Sequence, residues 1–461
     1  MAMYCGVHKL NHINHYIQNL LVKNILIVLQ SWDMENIELD IISNGMNGEG
    51  IARYNGKVYF VDGVIIGEKV VAKVVKENKN FCYAQVETLL TKSENRCQPK
   101  CEYYQFCGGC NLQHIKYEKQ LDIKTQNVQN LFNKHKLNAN VCMCQGGQEF
   151  EYRNKITMYL SKNNKLGFYK ENSNQICEIN HCYLINNDFN NLIVKLNNFF
   201  KANKEFNPLI LKGLSIRQID NKYIINLILT KKIILTKLQN YLKLNKINYV
   251  LYYCINNKKN SNIPEYPCHY VDGEEKIYSN EYDIKYPVFP MSFLQVNNHI
   301  KKLVYDEIIS RVKDCNNVID AYSGAGLLSA ILAKNNKNIV AVEIDESASK
   351  SCELLCKQNN INNVKSICGD CVKVLPQLLQ EEMYDFIILD PARAGVDQHI
   401  LTEIVKYKIP NILYLSCNPA TLTRDLELLT NGCYKISFVK PYDMFPQTSN
   451  VETLVQLKLD M

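Results

Sequence analysis

No apolar run in this 461-residue chain is long enough to cross a bilayer, which takes about 20 consecutive apolar residues. The nearest approach, Tyr16 to Leu29, is short and carries Lys23 and Asn24, so a transmembrane helix is rejected. That stretch lacks a small-residue cleavage site, and no secretory signal is read at the start of the chain. Strong excess charge is missing too: a net +7 permits a polyanionic partner without demanding one. With 46% hydrophobic and 21% charged residues, wholesale disorder is excluded. A chain this long needs no disulfide scaffold, so its 19 cysteines point to a reducing cytoplasm and, where clustered, to metal or catalysis.

Length predicts several domains. Residues 1–35 read as an N-terminal extension, since a more regular pattern opens near Met34. In residues 36–95, Ile37 to Ile42, Lys57 to Val61, Val64 to Val75 and Ala84 to Leu90 read as short strands with glycine turns between them. That pattern suggests a small OB-like β-barrel, an architecture that often binds nucleic acid. Residues 96–285 read as an α+β region holding the densest cysteine cluster. From 286 to 461, Val318 to Asp320, Ile339 to Val342, Val364 to Ile367, Phe386 to Leu389 and Ile412 to Leu415 alternate with helix-length segments. This is the rhythm of a doubly wound, Rossmann-like α/β sheet.

Five constellations carry chemistry. Asp320-Ala-Tyr-Ser-Gly-Ala-Gly326 follows a strand and precedes a helix, and Gly324 lets the backbone approach a ligand closely. Glu343 ends the next strand, where a carboxylate can accept from ribose hydroxyls, and Asp370 ends the third, within reach of an adenine amine. Position 329 is Ser, so the full G-x-G-x-x-G pattern is absent, which favours an S-adenosylmethionine-type ligand over NAD. In Asp390-Pro-Ala-Arg393 the proline restricts the acid to extended geometry at a strand end. Cys417 lies in Ser416-Cys-Asn-Pro419 after a buried strand, with a helix expected from Thr421; its soft thiolate suits conjugate addition to an electron-poor ring, the alternative being an inert buried thiol. Cys101, Cys107 and Cys110 form C-x5-C-x2-C, with Cys182 as the fourth ligand for zinc or an iron–sulfur cluster. Glu452 precedes a final strand, where a carboxylate can act as a base.

Taken together, these residues resemble the RNA uracil-5 methyltransferase family, most closely its 23S ribosomal RNA branch, over nearly all of residues 36–461. The resemblance implies a TRAM-type RNA-binding barrel and a [4Fe-4S] cluster on Cys101, Cys107, Cys110 and Cys182. It implies S-adenosylmethionine contacts at Gln295 (in Ser292-Phe-Leu-Gln-Val-Asn297), Tyr322, Glu343 and Asp390, with Gly324 and Asp370 beside them. It also implies Cys417 as the nucleophile that adds to C6 of uracil and Glu452 as the base that removes the C5 proton. The partner implied is 23S ribosomal RNA, with no membrane, no obligate protein partner and a monomeric state. One departure is Asn450, where the family often has His before the Val-Glu pair. The alternatives are a transfer RNA uracil-5 methyltransferase, a non-catalytic RNA-binding or assembly factor, and a zinc enzyme acting at the cysteine cluster.

Overall fold

The computed structural model describes residues 36–258, 262–335 and 337–460; the extension 1–35, with its Tyr16 to Leu29 stretch, lies outside them. Among the described residues, no helix is long and apolar enough to cross a membrane. The chain divides into two compact units after Arg96.

The first unit is a six-stranded sheet of β1 (Asn36–Asp40), β2 (Ser43–Asn44), β3 (Gly50–Tyr54), β4 (Lys57–Val61), β5 (Lys69–Glu77) and β6 (Phe81–Thr91). The order is β1-β5-β6-β4-β3-β2, antiparallel except for the β4–β6 pair. Alternation puts Leu39, Ala52, Val61, Val70 and Ala84 into one small core. One expected strand is shorter than the sequence suggests. Val64 to Glu68 is a turn, because Gly67 takes φ +86° and the Glu68 carboxylate accepts the Ile65 N–H at 2.9 Å. Glu68 is buried, yet its carboxyl is held below the usual range: burial pushes it up, but Arg96 at 2.6 Å and two backbone donors outweigh that.

The second unit opens with α1 (Tyr117–Lys134). A seven-stranded sheet follows, built from β7 (Lys155–Leu160), β8 (Leu166–Tyr169), β9 (Ile176–Glu178), β10 (Leu211–Ile219), β11 (Lys222–Leu229), β12 (Tyr249–Ile255) and β13 (Cys268–Gly273). Its order is β13-β12-β11-β10-β7-β8-β9. Alternate residues Ile216, Ile225 and Leu251 pack against Phe189 and Leu196 of α2 (Asn187–Ala202) and Leu238 of α3 (Thr236–Leu244). The opposite face is mixed and bears Lys155, Ser215, Arg217 and Asn226, since cross-strand partners share a face.

A hairpin of β14 (Ile277–Glu281) and β15 (Ile284–Val288), turning on Tyr282 and Asp283 at positive φ, leads to α4 (Asn298–Val312). Then come β16 (Asn317–Ala321), α5 (Leu327–Lys334), β17 (Asn338–Glu343), α6 (Glu346–Gln358), β18 (Val364–Cys368), α7 (Cys371–Glu381), β19 (Phe386–Leu389), α8 (Gln398–Tyr407), β20 (Asn411–Ser416), α9 (Pro419–Gly432), β21 (Tyr434–Tyr442) and β22 (Glu452–Leu459). All five expected strands are present, in the order β18-β17-β16-β19-β20-β22-β21. The first five are parallel; β17, β16, β19 and β20 are largely buried on both faces, which is why they carry apolar runs, while the edge strand β18 is not. Side chains of Asp345, Asp370, Asp397 and Asn418 cap the helices that follow. The last of these starts at Pro419, not at Thr421 as the sequence suggested, because proline suits the first helical turn. Val128 and Phe132 of α1 pack with Leu422, Leu426 and Tyr434, so α1 belongs to this core as much as to the cysteine region before it.

Candidate active site

The sheet reverses its order of addition at β16, with β17 on one side and β19 on the other. A crevice opens there, beyond the carboxyl ends of the strands. Three residues at the end of β16 have positive φ: Tyr322 (+65°), Gly324 (+54°) and Gly326 (+76°). A Cβ on Gly326 would meet the Cys352 sulfur at 2.1 Å, so close packing as well as φ requires glycine. The Gly324 N–H donates to Glu343 Oε2 at 2.9 Å, and the Asp345 N–H to Oε1 at 2.8 Å. Glu343 is therefore fixed at the rim. Asp370 spends one oxygen on the α7 cap, accepting from the Val372 N–H at 3.0 Å. Gln295 has no hydrogen bond to these carboxylates. Its loop is placed from the central sheet: Asn154 Nδ2 donates to the Gln295 carbonyl at 3.1 Å, and Arg217 to the Ser292 and Leu294 carbonyls at 3.4 and 3.3 Å.

Cys417 follows β20, half-buried, and Glu452 begins the antiparallel neighbour β22, 4% exposed. The two groups feel each other. Burial, then the charge of Glu452, pushes the Cys417 thiol up to about 11, while Arg393 opposes. Burial, then Asp390, pushes Glu452 up to about 8, again against Arg393. Asp390 is pushed up to about 7 by burial and by Asp320. Asp320 of β16 is 2% exposed, accepts from Ser329 Oγ at 2.5 Å, and sits at about 6 because burial and Glu343 outweigh that hydrogen bond. A row of carboxyl groups thus runs from the glycine turn to the thiol, with Arg393 as the opposing charge. Arg393 is itself steered by Asn450, which accepts from Nη2 at 3.1 Å.

Glu452 is delivered by the loop 443–450, which two distant segments hold. Lys124 of α1 reaches Asp443 at 2.5 Å, both fully buried. Gln120 and Gln447 exchange two hydrogen bonds, of 3.0 and 3.2 Å. From the cysteine loop, the Asn111 and Leu112 N–H groups both donate to the Gln447 carbonyl at 3.1 Å, and Asn111 Oδ1 accepts from the Ser449 N–H at 2.9 Å. Sequence reading missed Lys124, because nothing local marks a partner 319 residues away.

Cys101, Cys107, Cys110 and Cys182 line one cavity of about 220 Å³, with Arg153 and His181 among their neighbours. Gly108 packs so closely on the Tyr169 carbonyl and Glu171 backbone that a Cβ would crowd both at 3.1 Å. Asn190 pins Cys182, accepting from its N–H at 2.8 Å and donating to its carbonyl at 3.0 Å. Burial first, and then the neighbouring thiols, pushes Cys107 and Cys110 up to about 12. Among the described residues, no group of three or more His, Cys, Asp or Glu is arranged around a point as a single metal ion demands. The four sulfurs border a cavity instead. A larger depression, of about 850 Å³, lies beside Val396 and Arg424 and holds none of the candidate site residues.

Strand order, glycine turn and acid-lined crevice are those of a doubly wound methyltransferase domain. Residues 116–459 match the family described as tRNA (Uracil-5-)-methyltransferase, and residues 35–86 match the TRAM domain. Relatives named as uncharacterized RNA methyltransferases include one from Clostridium tetani, 31% identical over 90% of this chain and 95% of its own. Another, from Listeria monocytogenes, is 32% identical over 92% and 98%. The structure of Pyrococcus abyssi tRNA (uracil-54, C5)-methyltransferase in complex with S-adenosyl-L-homocysteine superposes with a TM-score of 0.74, covering 91% of this chain and 99% of that one at 23% identity. The chain belongs to the tRNA (uracil-5-)-methyltransferase family of RNA-modifying enzymes, with a TRAM domain at its amino-terminal side.

Proposed function

We propose that this protein transfers a methyl group from S-adenosylmethionine to C5 of a uridine in 23S ribosomal RNA, through a covalent adduct on Cys417. The observation that carries the chemistry is the shared electrostatics of Cys417, Glu452 and Asp390 at adjoining strand ends. C5 of uracil is a poor nucleophile. When the Cys417 thiolate adds to C6, a C6–S bond forms and charge collects on C5 and O4. C5 then takes the methyl group from the sulfonium, leaving a neutral thioether. Glu452 removes the C5 proton, the C6–S bond breaks, and the thiolate is restored. A crevice lined by Asp320, Asp390 and Glu343 suits a cationic donor. Gly324, Tyr322, Glu343, Asp370 and Gln295 are assigned to holding it, and Asp390 to positioning donor and base. Such a site admits only a nucleotide turned out of its stack.

The ribosomal assignment rests on a TRAM domain and a four-cysteine cavity occurring in the same chain. The donor set fits a [4Fe-4S] cluster: four half-buried thiols, three of them raised by the others, become stable thiolates only beside strong positive charge, and they surround a volume. Cys101, Cys107, Cys110 and Cys182 would hold it, and iron–thiolate bonding would tie together the loop that touches Gln447 and Ser449. Anaerobically purified protein is expected to be brown with about four irons per chain. Stoichiometric zinc would overturn the assignment.

The function is tested by incubating the protein with S-adenosylmethionine and unmodified 23S and transfer RNA transcripts, then mapping 5-methyluridine. Product in 23S RNA is expected; product in transfer RNA alone supports the rival substrate. Two further outcomes test the roles. Glu452→Gln is expected to form the adduct without releasing it, so a protein–RNA band survives a denaturing gel; free methylated RNA at the normal rate would remove Glu452 as base. Because Glu452 acts as a carboxylate and sits at about 8, kcat/KM is expected to climb as pH rises through 7–8. A profile flat from pH 6 to 9 contradicts this.

A further inference from the structure

The mixed face of the central sheet carries two cations with no acid between them. Lys155 on β7 pairs directly across from Arg217 on β10. Like charges in such a pair repel at close range. Arg217 is 3% exposed, and its Nε is buried without a partner. Its Nη atoms go to Asn154 at 3.1 Å and to the Ser292 and Leu294 carbonyls, all neutral. Half-buried Lys155 has no ion pair or hydrogen bond at Nζ among the described residues. The nearest acid acting on Arg217 is Glu281, which Lys301 already holds at 2.5 Å. Burial and Arg217 together push the Lys155 ammonium down to about 8. A buried guanidinium facing a half-buried ammonium, with no acid of their own, is costly unless an anion approaches the exposed side.

The position indicates which anion. Arg217 holds the carbonyls on either side of Phe293, whose ring is 72% exposed and free to meet a base. The same loop carries Gln295. A lysine with no partner at Nζ among the described residues, backed by a buried guanidinium and beside an exposed aromatic ring, is a combination that suits single-stranded RNA. We propose that Lys155, with the buried charge of Arg217 behind it, binds one phosphodiester of the substrate RNA next to the target uridine. The site rests on the methyltransferase reading above and adds to it a contact that seats the nucleotide against the cofactor loop.

Lys155 is the residue to test, because Arg217 also supports the loop. Lys155→Gln is expected to weaken binding of unmodified 23S transcript roughly tenfold, the worth of one charged hydrogen bond. It should flatten the dependence of log K on log salt by about 0.7, the share of one phosphate on a single strand. Affinity for S-adenosylhomocysteine should stay unchanged, and Lys155→Arg should restore both RNA measures. Since the change removes a repulsion, the melting temperature should not fall; if Lys155→Gln fails to fold, Lys155→Met is measured in its place. Unchanged RNA affinity and salt slope would overturn the site. So would loss of S-adenosylhomocysteine affinity alone, which would hand the cations to the cofactor carboxylate. Wild-type protein that methylates no transcript would instead sink the functional reading.

Discussion

Cys417→Ala is expected to lower methyl transfer by about 10,000-fold or more, because Cys417 is the thiol that feels Glu452 and Asp390 and the uncatalysed C5 is inert. The fold should survive. Cys417 is only half-buried, and the α9 cap is made by Asn418, whose side chain accepts from the Ala420 N–H at 3.2 Å. Binding of S-adenosylhomocysteine, measured by calorimetry, should be retained, since the turn at Gly324 and the carboxylate of Glu343 are untouched. Cys417→Ser should be nearly as inactive, because an alcohol ionises too rarely to add to C6. Persistent 5-methyluridine formation by the alanine variant would refute the covalent route.

Lys124→Met is expected to cost about 3–5 kcal/mol, the usual penalty for leaving one charge of a buried pair without its partner. Asp443 is 0% exposed, so solvent cannot take the ammonium's place. A melting temperature lower by roughly 5–10 °C should follow. Activity should fall further than stability, because Asp443 begins the loop that presents Glu452. The double variant Lys124→Met, Asp443→Leu should regain much of the stability and little of the activity. Wild-type melting in the single variant would show that the pair contributes nothing.

The catalytic half of the molecule was legible because its signals are local. Ile412 to Leu415 reads as a buried strand from four consecutive apolar residues, and the polar turn after it delivers Cys417. The glycine turn after Asp320 and the acid at Glu343 are spaced as a parallel strand–helix–strand unit demands. The start of β5 misled, because Val64 to Glu68 is apolar enough for a strand but is bent by Gly67 and by the Glu68 carboxylate turning back on the chain.

Sequence alone determined the strands, the order of chemistry along the chain and the residue types able to carry it, since periodicity and turn residues act over a few positions. Only the tertiary structure decided which groups share an electric field. Asp320, Asp390, Glu452 and Cys417 are spread over four strand ends, and their proton affinities come from burial and from one another. The same holds for Lys124 with Asp443, for Asn111 with Ser449 and for Lys155 opposite Arg217. Each pair is made by folding across long separations, and charge and solvent exclusion there depend on distance in space, which no local pattern encodes.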